Sequence, residues 1–294
     1  MSAKAEINRL VGVLSEYECG HLLSAFQDVA AGERFWETEI TAVYNEHVKT
    51  RLSQLSQGPT EVPSGPVNGD SVFAPIPIVK SYDGAERIAL PEPGTLNVPL
   101  GETLRERRSR RDYTGDAIEL EQLATMLHYA CGVTGYISGY GYRRLPLRSF
   151  PSSGGLQAPE VYLSIQAVNG IAPGLYHYHA VDNVLELMRP GQLGPLLSAL
   201  SFQQPYVAAA SVVFLITGSF ERLRWKYGQR AYKYMCIDTG YLGQNLYLVA
   251  EGLGLGACAI AGFVDDALEQ LLGVDGRNEM ILLLTAVGVP RVQM

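Results

Sequence analysis

The chain has 294 residues, of which 47% are hydrophobic and 18% are charged, and its net charge is -7. A chain of this length can bury a sizeable core, because one domain needs only about 100 to 200 residues. The acidic balance argues against nucleic-acid binding, which requires many clustered cations. The four cysteines, at positions 19, 131, 236 and 258, form no C-x-x-C pair and therefore indicate neither a zinc site nor a disulfide framework.

The N-terminal third divides into two parts. Apolar residues recur at helical spacing in residues 1–57, which predicts a helical extension. Residues 58–101 hold half of the 16 prolines and predict a linker or a surface arm. The chain starts without the apolar stretch of a secretion signal, and its longest apolar runs are shorter than the roughly 20 residues of a membrane span. We therefore expect a cytoplasmic protein without a membrane anchor.

Residues 102–294 are predicted to form one domain. A helix is expected to start near Thr103 and to break at residues 112–116, and a loop rich in glycine, tyrosine and arginine is expected up to Phe150. Further helices are predicted over residues 119–131 and 219–252, and strands over residues 159–167, 174–179, 184–188, 207–217, 256–263 and 280–287. These elements alternate without regular βαβ spacing, so the pattern predicts a layered α+β fold.

Five arginines stand close together in this acidic chain, at positions 105, 107, 108, 110 and 111. Like charges at this density repel one another unless an anion neutralises them, and a phosphate is the simplest such partner. Ser109 adds a hydroxyl group, and the planar guanidinium group holds phosphate oxygens in a bidentate manner. The alternative is a solvated helix face.

Two glycine-containing segments are further candidates for ligand contacts. Residues 150–155 read F-P-S-S-G-G, a small turn whose backbone can approach a planar polar ligand. Residues 258–263 read C-A-I-A-G-F, a strand that runs into glycine. Taken singly, the first is merely a turn and the second is a core strand.

Two histidines, His177 and His179, alternate along a predicted strand and therefore share one face of it. No carboxylate or cysteine stands at a usable spacing from them, so no metal site is predicted. Structural positions in the strand are the expected role.

The order of these segments resembles the nitroreductase fold family. Residues Arg107, Arg108, Ser109, Arg111 and Tyr113 match the R-R-S-x-R-x-aromatic motif that opens the domain in that family. The resemblance implies an α+β nitroreductase-like layered fold, in which helices flank a central mixed sheet. It also implies FMN bound across the interface of a domain-swapped homodimer.

The same resemblance assigns cofactor contacts. The arginine-rich motif, with Arg107, Arg108, Ser109 and Arg111, is expected at the FMN phosphate and ribityl chain. The turn formed by Pro151, Ser152, Ser153, Gly154 and Gly155 is expected to line the flavin. Ala261 or Gly262 is expected to face the flavin N5 edge, and Arg291 to supply a further phosphate contact.

A narrower likeness covers residues 103–290. Residues 148–162 (R-S-F-P-S-S-G-G-L-Q-A-P-E-V-Y), 174–179 (G-L-Y-H-Y-H) and 225–240 (W-K-Y-G-Q-R-A-Y-K-Y-M-C-I-D-T-G) resemble azoline dehydrogenases of the streptolysin, microcin and cyanobactin type. That subfamily oxidises thiazoline or oxazoline rings in peptides to thiazoles or oxazoles. Lys226 and Tyr227 fall where it has its essential pair, so the resemblance implies that they are catalytic.

The chemistry explains why such a pair is needed. Aromatising an azoline removes a hydride from one ring carbon, to flavin N5, and a proton from the neighbouring atom. Lys226 can accept that proton only if burial or the nearby cations Arg224 and Arg230 lower its pKa, and Tyr227 could orient the ring or relay the proton. The alternative is that Lys226, Arg230 and Lys233 form a solvated helix stripe.

Several alternatives stay open at this point. A nicotinamide-dependent reductase of nitro groups, quinones or activated double bonds would share the fold and flavin. A non-catalytic scaffold that docks a cyclodehydratase would belong to another class. The substrate could be a ribosomal peptide, a carrier-bound chain or a small metabolite, and the N-terminal 100 residues or so are expected to bind a peptide, a partner enzyme or the dimer mate.

Overall fold

The computed structural model describes residues 76–291. The helical extension predicted over residues 1–57 lies outside the described residues, as does the first part of the proline-rich arm. Within residues 76–291 no helix is long and apolar enough to cross a membrane.

A seven-stranded sheet forms the centre of the molecule, and its strands follow the order β1-β8-β7-β5-β9-β11-β10. Their bounds are β1 Arg87–Ala89, β5 Pro159–Ile165, β7 Gly174–His179, β8 Val184–Pro190, β9 Val212–Ser219, β10 Gly256–Ile260 and β11 Glu279–Gly288. Neighbouring strands of this sheet pair antiparallel. A short parallel pair joins β2 (Ile118–Glu119) to β6 (Val168–Asn169).

Helices cover both faces of the sheet. Their bounds are α1 Leu100–Glu106, α2 Leu120–Cys131, α3 Gly194–Leu200, α4 Pro205–Ala209, α5 Phe220–Tyr227, α6 Ala231–Gly252 and α7 Asp265–Leu272. Along β9, Val213 and Leu215 pack with α3 and α7, whereas Phe214 and Ile216 pack with α2 and α6. This alternation buries β9 on both sides, and the three layers confirm the predicted α+β fold.

Three sequence predictions require correction. The loop predicted before Phe150 is a β-hairpin, in which β3 (Val133–Gly139) pairs with β4 (Tyr142–Arg148). The helix predicted over residues 219–252 is two helices, because Gly228 adopts φ 55° and ψ -138° between α5 and α6. The strand predicted from residue 207 starts at Val212, since Pro205 opens the short helix α4.

Candidate functional site

The glycine turn lies directly against the predicted lysine-tyrosine pair. Gly154 and Gly155 have φ values of 64° and 69°, a conformation that favours glycine. A Cβ atom at Gly154 would lie 2.6 Å from Tyr227 Oη and 2.9 Å from Lys226 Nζ. Only glycine therefore leaves room for both side chains at this position.

A buried carboxylate fixes the conformation of this glycine turn. Asp238 of α6 is 1% exposed and accepts hydrogen bonds from Ser153 N and Ser153 Oγ at 2.8 Å, and from Ser152 Oγ at 3.2 Å. Burial raises the pKa of Asp238, and the bonds from the two serines act in the opposite direction. Both serine hydroxyls are thus used to hold the turn, whereas the sequence had assigned them to a ligand.

Lys226 lies between two tyrosine hydroxyls. Its Nζ donates a hydrogen bond to Tyr140 Oη and lies 4.4 Å from the centroid of that ring and 5.1 Å from the centroid of the Tyr227 ring. Burial lowers the pKa of Lys226, but the interactions with Tyr140 and Tyr227 outweigh burial and raise it. The condition of a lowered pKa, under which Lys226 could accept the proton, is therefore not met in this structure.

Helix α5, which carries the pair, is anchored by a buried arginine. Arg222 donates hydrogen bonds to the carboxylate of Glu160 and to the main-chain oxygens of Gln157 and Pro77, the latter two at 2.8 Å. The guanidinium group is buried, as is Glu160. This contact fixes the start of α5 against β5 and thereby sets the position of the lysine one turn further on.

His177 joins the same network. Its Nε2 lies 3.1 Å from Glu160 Oε2 and its Nδ1 lies 2.9 Å from Glu186 Oε2. The sequence had shown no carboxylate partner for this histidine, because Glu160 and Glu186 stand on the neighbouring strands β5 and β8 and only the sheet brings them together. Hydrogen-bond distances on both ring nitrogens indicate a structural role.

The arginine-rich segment lies at the edge of the sheet, beside β10. Ser109 Oγ is 2.9 Å from Tyr247 Oη of α6, and that oxygen accepts a hydrogen bond of 2.7 Å from Ala259 N. The guanidinium group of Arg107 lies 5.2 Å from the centroid of the Tyr247 ring. The side chain of Arg111 is exposed, and its pKa is raised by Cys258 and Tyr206. Tyr247 thus organises the segment, although no sequence motif had singled it out.

Two of the predicted phosphate ligands are engaged elsewhere. Arg108 Nη1 donates to the main-chain oxygens of Arg105 at 2.9 Å and Arg107 at 2.8 Å. Arg291 pairs with the carboxylate of Asp112 at 3.1 Å. The guanidinium groups of Arg107 and Arg111 are therefore better placed to meet an anion than those of Arg108 and Arg291.

An open cleft of about 300 Å³ lies between α6 and the ends of β10 and β11. Ala261 lines this cleft together with Thr239, whose buried Oγ1 has no hydrogen-bond partner. Gly262 faces the Phe202 ring at 3.5 Å from its Cβ position. A larger cleft of about 380 Å³, between β3 and the β7–β8 turn, is lined by none of the predicted residues.

The structure groups several predicted residues with two tyrosines that the sequence had not indicated. The arginine cluster consists of Arg107, Ser109, Arg111 and Tyr247, and the lysine cluster consists of Tyr140, Gly154, Lys226 and Tyr227. Helix α6 carries Tyr247 toward the first and Asp238 toward the second. At about 100° and 1.5 Å per residue, these two positions lie on opposite sides of the helix and about 13 Å apart along its axis. Within one chain, α6 therefore separates the two clusters.

The layered α+β fold carries a cationic segment beside one edge strand and a glycine turn beside a lysine-tyrosine pair, an arrangement that can accommodate an anionic ligand. The nitroreductase family model matches residues 104–289, and the chain belongs to this family. The family is one of flavin-binding oxidoreductases.

Two curated relatives illustrate the range of this similarity. A protein of Methanocaldococcus jannaschii that carries the name nitroreductase is 30% identical over 200 residues, which is 67% of this chain and 93% of the relative. The microcin B17-processing protein McbC of Escherichia coli is 28% identical over 151 residues, which is 48% of this chain. The match spans about half, 54%, of McbC.

Solved structures agree with the fold. A structure from Anabaena variabilis, described as a nitroreductase, is 27% identical, has a TM-score of 0.62, and the match covers 72% of this chain and 44% of that one. The E. coli microcin synthetase McbBCD complex has a TM-score of 0.56 at 20% identity, covering 87% of this chain and 92% of the other. At that identity the second likeness shows the fold alone.

Proposed function

We propose that this chain is an FMN-dependent azoline dehydrogenase that oxidises thiazoline or oxazoline rings of a peptide or of a carrier-bound peptide. The observation that carries the proposal is the position of Lys226 Nζ and Tyr227 Oη over Gly154, in the turn expected to line the flavin. The name of McbC, a relative that processes microcin B17, supports a peptide substrate. A cyclodehydratase that makes the azoline is the corresponding partner.

The residues of the chain fit an FMN group. Arg107 and Arg111 are placed to hold its phosphate, and Gly154 and Gly155, at positive φ, add no side chains of their own to the turn that would face the ring. The unpartnered Thr239 Oγ1 offers a polar contact in the cleft beside Ala261. Bound FMN would supply a hydride acceptor at N5.

The charge on Lys226 constrains how the proton of the substrate ring is taken up. Because the pKa of Lys226 is raised, its Nζ stays protonated and acts as a cation and hydrogen-bond donor. A protonated Lys226 cannot itself accept the substrate proton, so the Lys226-Tyr227 pair must first release one proton to solvent before it takes one from the ring. The pair as a whole is the proposed proton acceptor.

A homodimer would complete the site. Since α6 separates the arginine cluster from the lysine cluster in one chain, each flavin would use the arginine cluster of one subunit and the lysine cluster of its mate. Helix α6 exposes Tyr232, Ile237 and Tyr241, and aromatic and apolar side chains of this kind are typical of interfaces.

Mixed dimers test this arrangement. One chain carries Arg107→Ala and Arg111→Ala, the other carries Lys226→Ala, and each homodimer is expected to be inactive. After the two are unfolded and refolded together, shared sites restore turnover, because half of the sites in each mixed dimer combine two unaltered clusters. If sites lie within single chains, the mixture stays inactive and the shared-site proposal is wrong.

The proposed oxidation is tested by the flavin content of the protein and by the turnover of its variants. The purified protein is expected to release FMN on denaturation and to resist reduction by NADPH without oxygen, whereas rapid bleaching would favour a nicotinamide-dependent reductase. With an azoline peptide, Lys226→Ala and Tyr227→Phe should abolish turnover. Tyr234→Phe, which removes the hydroxyl of the ring that packs on Tyr227 at 4.7 Å, is the matched control and should stay active. Undiminished product with Lys226→Ala and Tyr227→Phe combined would support the scaffold alternative instead.

A further inference from the structure

The tip of the β3–β4 hairpin places a tyrosine in a backbone conformation that tyrosine rarely adopts. Gly139 pairs with Tyr142, so Tyr140 and Gly141 are the two central residues of the turn, with φ values of 53° and 83°. Two positive φ angles in a two-residue hairpin loop define a type I′ turn, whose first position favours asparagine, aspartate or glycine. A tyrosine there is disfavoured by the backbone and therefore calls for a compensating contact.

Packing in the core does not supply that compensation. Tyr140 is 41% exposed, and its ring meets Trp225 edge-on at a centroid distance of 5.5 Å. Tyr140 also contacts Lys226, whose Nζ lies 4.4 Å from the ring centroid and donates a hydrogen bond to Tyr140 Oη. The strained tip thus brings one hydroxyl to the lysine of the proposed site.

The same hydroxyl lies at the glycine turn. A Cβ atom at Gly154 would be 3.5 Å from Tyr140 Oη, compared with 2.9 Å from Lys226 Nζ. Tyr140 and Tyr227 are the titratable groups with the largest effect on the pKa of Lys226. They approach it from two elements, the hairpin and α5, so that Nζ is held between two phenol oxygens.

We propose that Tyr140 is a positioning residue of the catalytic site, whose hydroxyl holds Lys226 Nζ over Gly154 beside Tyr227. This inference rests on the proposed function, because it assigns Lys226 a place in the reaction. The β3–β4 hairpin would then serve to place the Tyr140 hydroxyl next to Lys226 Nζ.

The test compares two substitutions at the tip. Tyr140→Phe keeps the ring and removes the hydroxyl, and it should lower kcat about tenfold with KM nearly unchanged, since a charged hydrogen bond is lost. Tyr140→Asn suits the type I′ turn and should lower kcat similarly while the melting temperature stays the same or rises. Tyr136→Phe, on the same hairpin, is the control and should leave kcat and the melting temperature unchanged.

A second readout needs no substrate. Loss of the Tyr140 hydroxyl lowers the pKa of Lys226, so trace acetylation at pH 8, followed by mass spectrometry, should label Lys226 several times faster in Tyr140→Phe than in the unaltered chain, relative to Lys233. Unchanged labelling and unchanged kcat, with Lys226→Ala inactive, would overturn the role of Tyr140 and leave the proposed function intact. Full turnover of Lys226→Ala would overturn both.

Discussion

Glu160 offers a quantitative test of how the charged network supports the site. Burial alone would raise the pKa of this carboxyl group, but the Arg222 guanidinium and the His177 ring lower it from 4.5 to about 2. At about 1.4 kcal/mol per pKa unit, this difference stabilises the folded chain by about 3 kcal/mol at neutral pH. We therefore expect Glu160→Gln to reduce the free energy of unfolding by about that amount.

The sign of the pH dependence follows from the lowered pKa. Between pH 2 and pH 4.5 the unfolded chain binds more protons at Glu160 than the folded chain, so the stabilisation is complete above about pH 5 and is lost as the pH falls toward 2. Urea titrations followed by circular dichroism should show nearly the same deficit of Glu160→Gln at pH 7 and pH 5 and a smaller one at pH 3.5. The exposed Glu92→Gln serves as control. A deficit below 1 kcal/mol at pH 7, or one that does not change with pH, would refute the reasoning.

Three further substitutions probe the two clusters. Gly154→Ala should abolish most of the turnover, because its Cβ would meet Tyr227 Oη at 2.6 Å and its φ of 64° disfavours alanine, and steady-state kinetics would show this. Tyr247→Phe removes the hydroxyl that contacts Ser109 and should weaken FMN binding about fivefold, for a loss of about 1 kcal/mol, which flavin fluorescence titration would measure. Asp238→Ala removes the acceptor of three hydrogen bonds and should lower the free energy of unfolding by about 3 kcal/mol and the FMN content of the purified protein.

Local patterns in the sequence predicted the elements that depend on nearby residues. The helix α2 and the β7–β8 hairpin lie where the apolar spacing placed them. The β3–β4 hairpin was missed, because its glycines and arginines hide the alternation of a strand. The break between α5 and α6 was also missed, since a single glycine within an amphipathic pattern is compatible with a continuous helix until its φ angle is known.

The residues of the candidate site likewise divide into those that the sequence indicated and those that it did not. Family motifs indicated the arginine-rich segment, the glycine turn and the Lys226-Tyr227 pair. They assigned no role to Asp238, which lies within the 225–240 motif, or to Tyr247, and the partners of these residues lie 85 and 138 residues away in the chain. Such contacts depend on how α6 packs between two distant segments. The domain boundaries at residues 57 and 101 stay predictions, although β1, within the predicted arm, pairs with β8.

The position of α6 between the two clusters links assembly to activity under the shared-site proposal. An isolated chain would hold two incomplete halves, so turnover per chain would fall on dilution once the protein concentration drops below the dissociation constant of the dimer. Flavin would be released over the same concentration range, and excess FMN would in turn draw the chains together. The free cofactor concentration would then set the number of working sites as well as their occupancy.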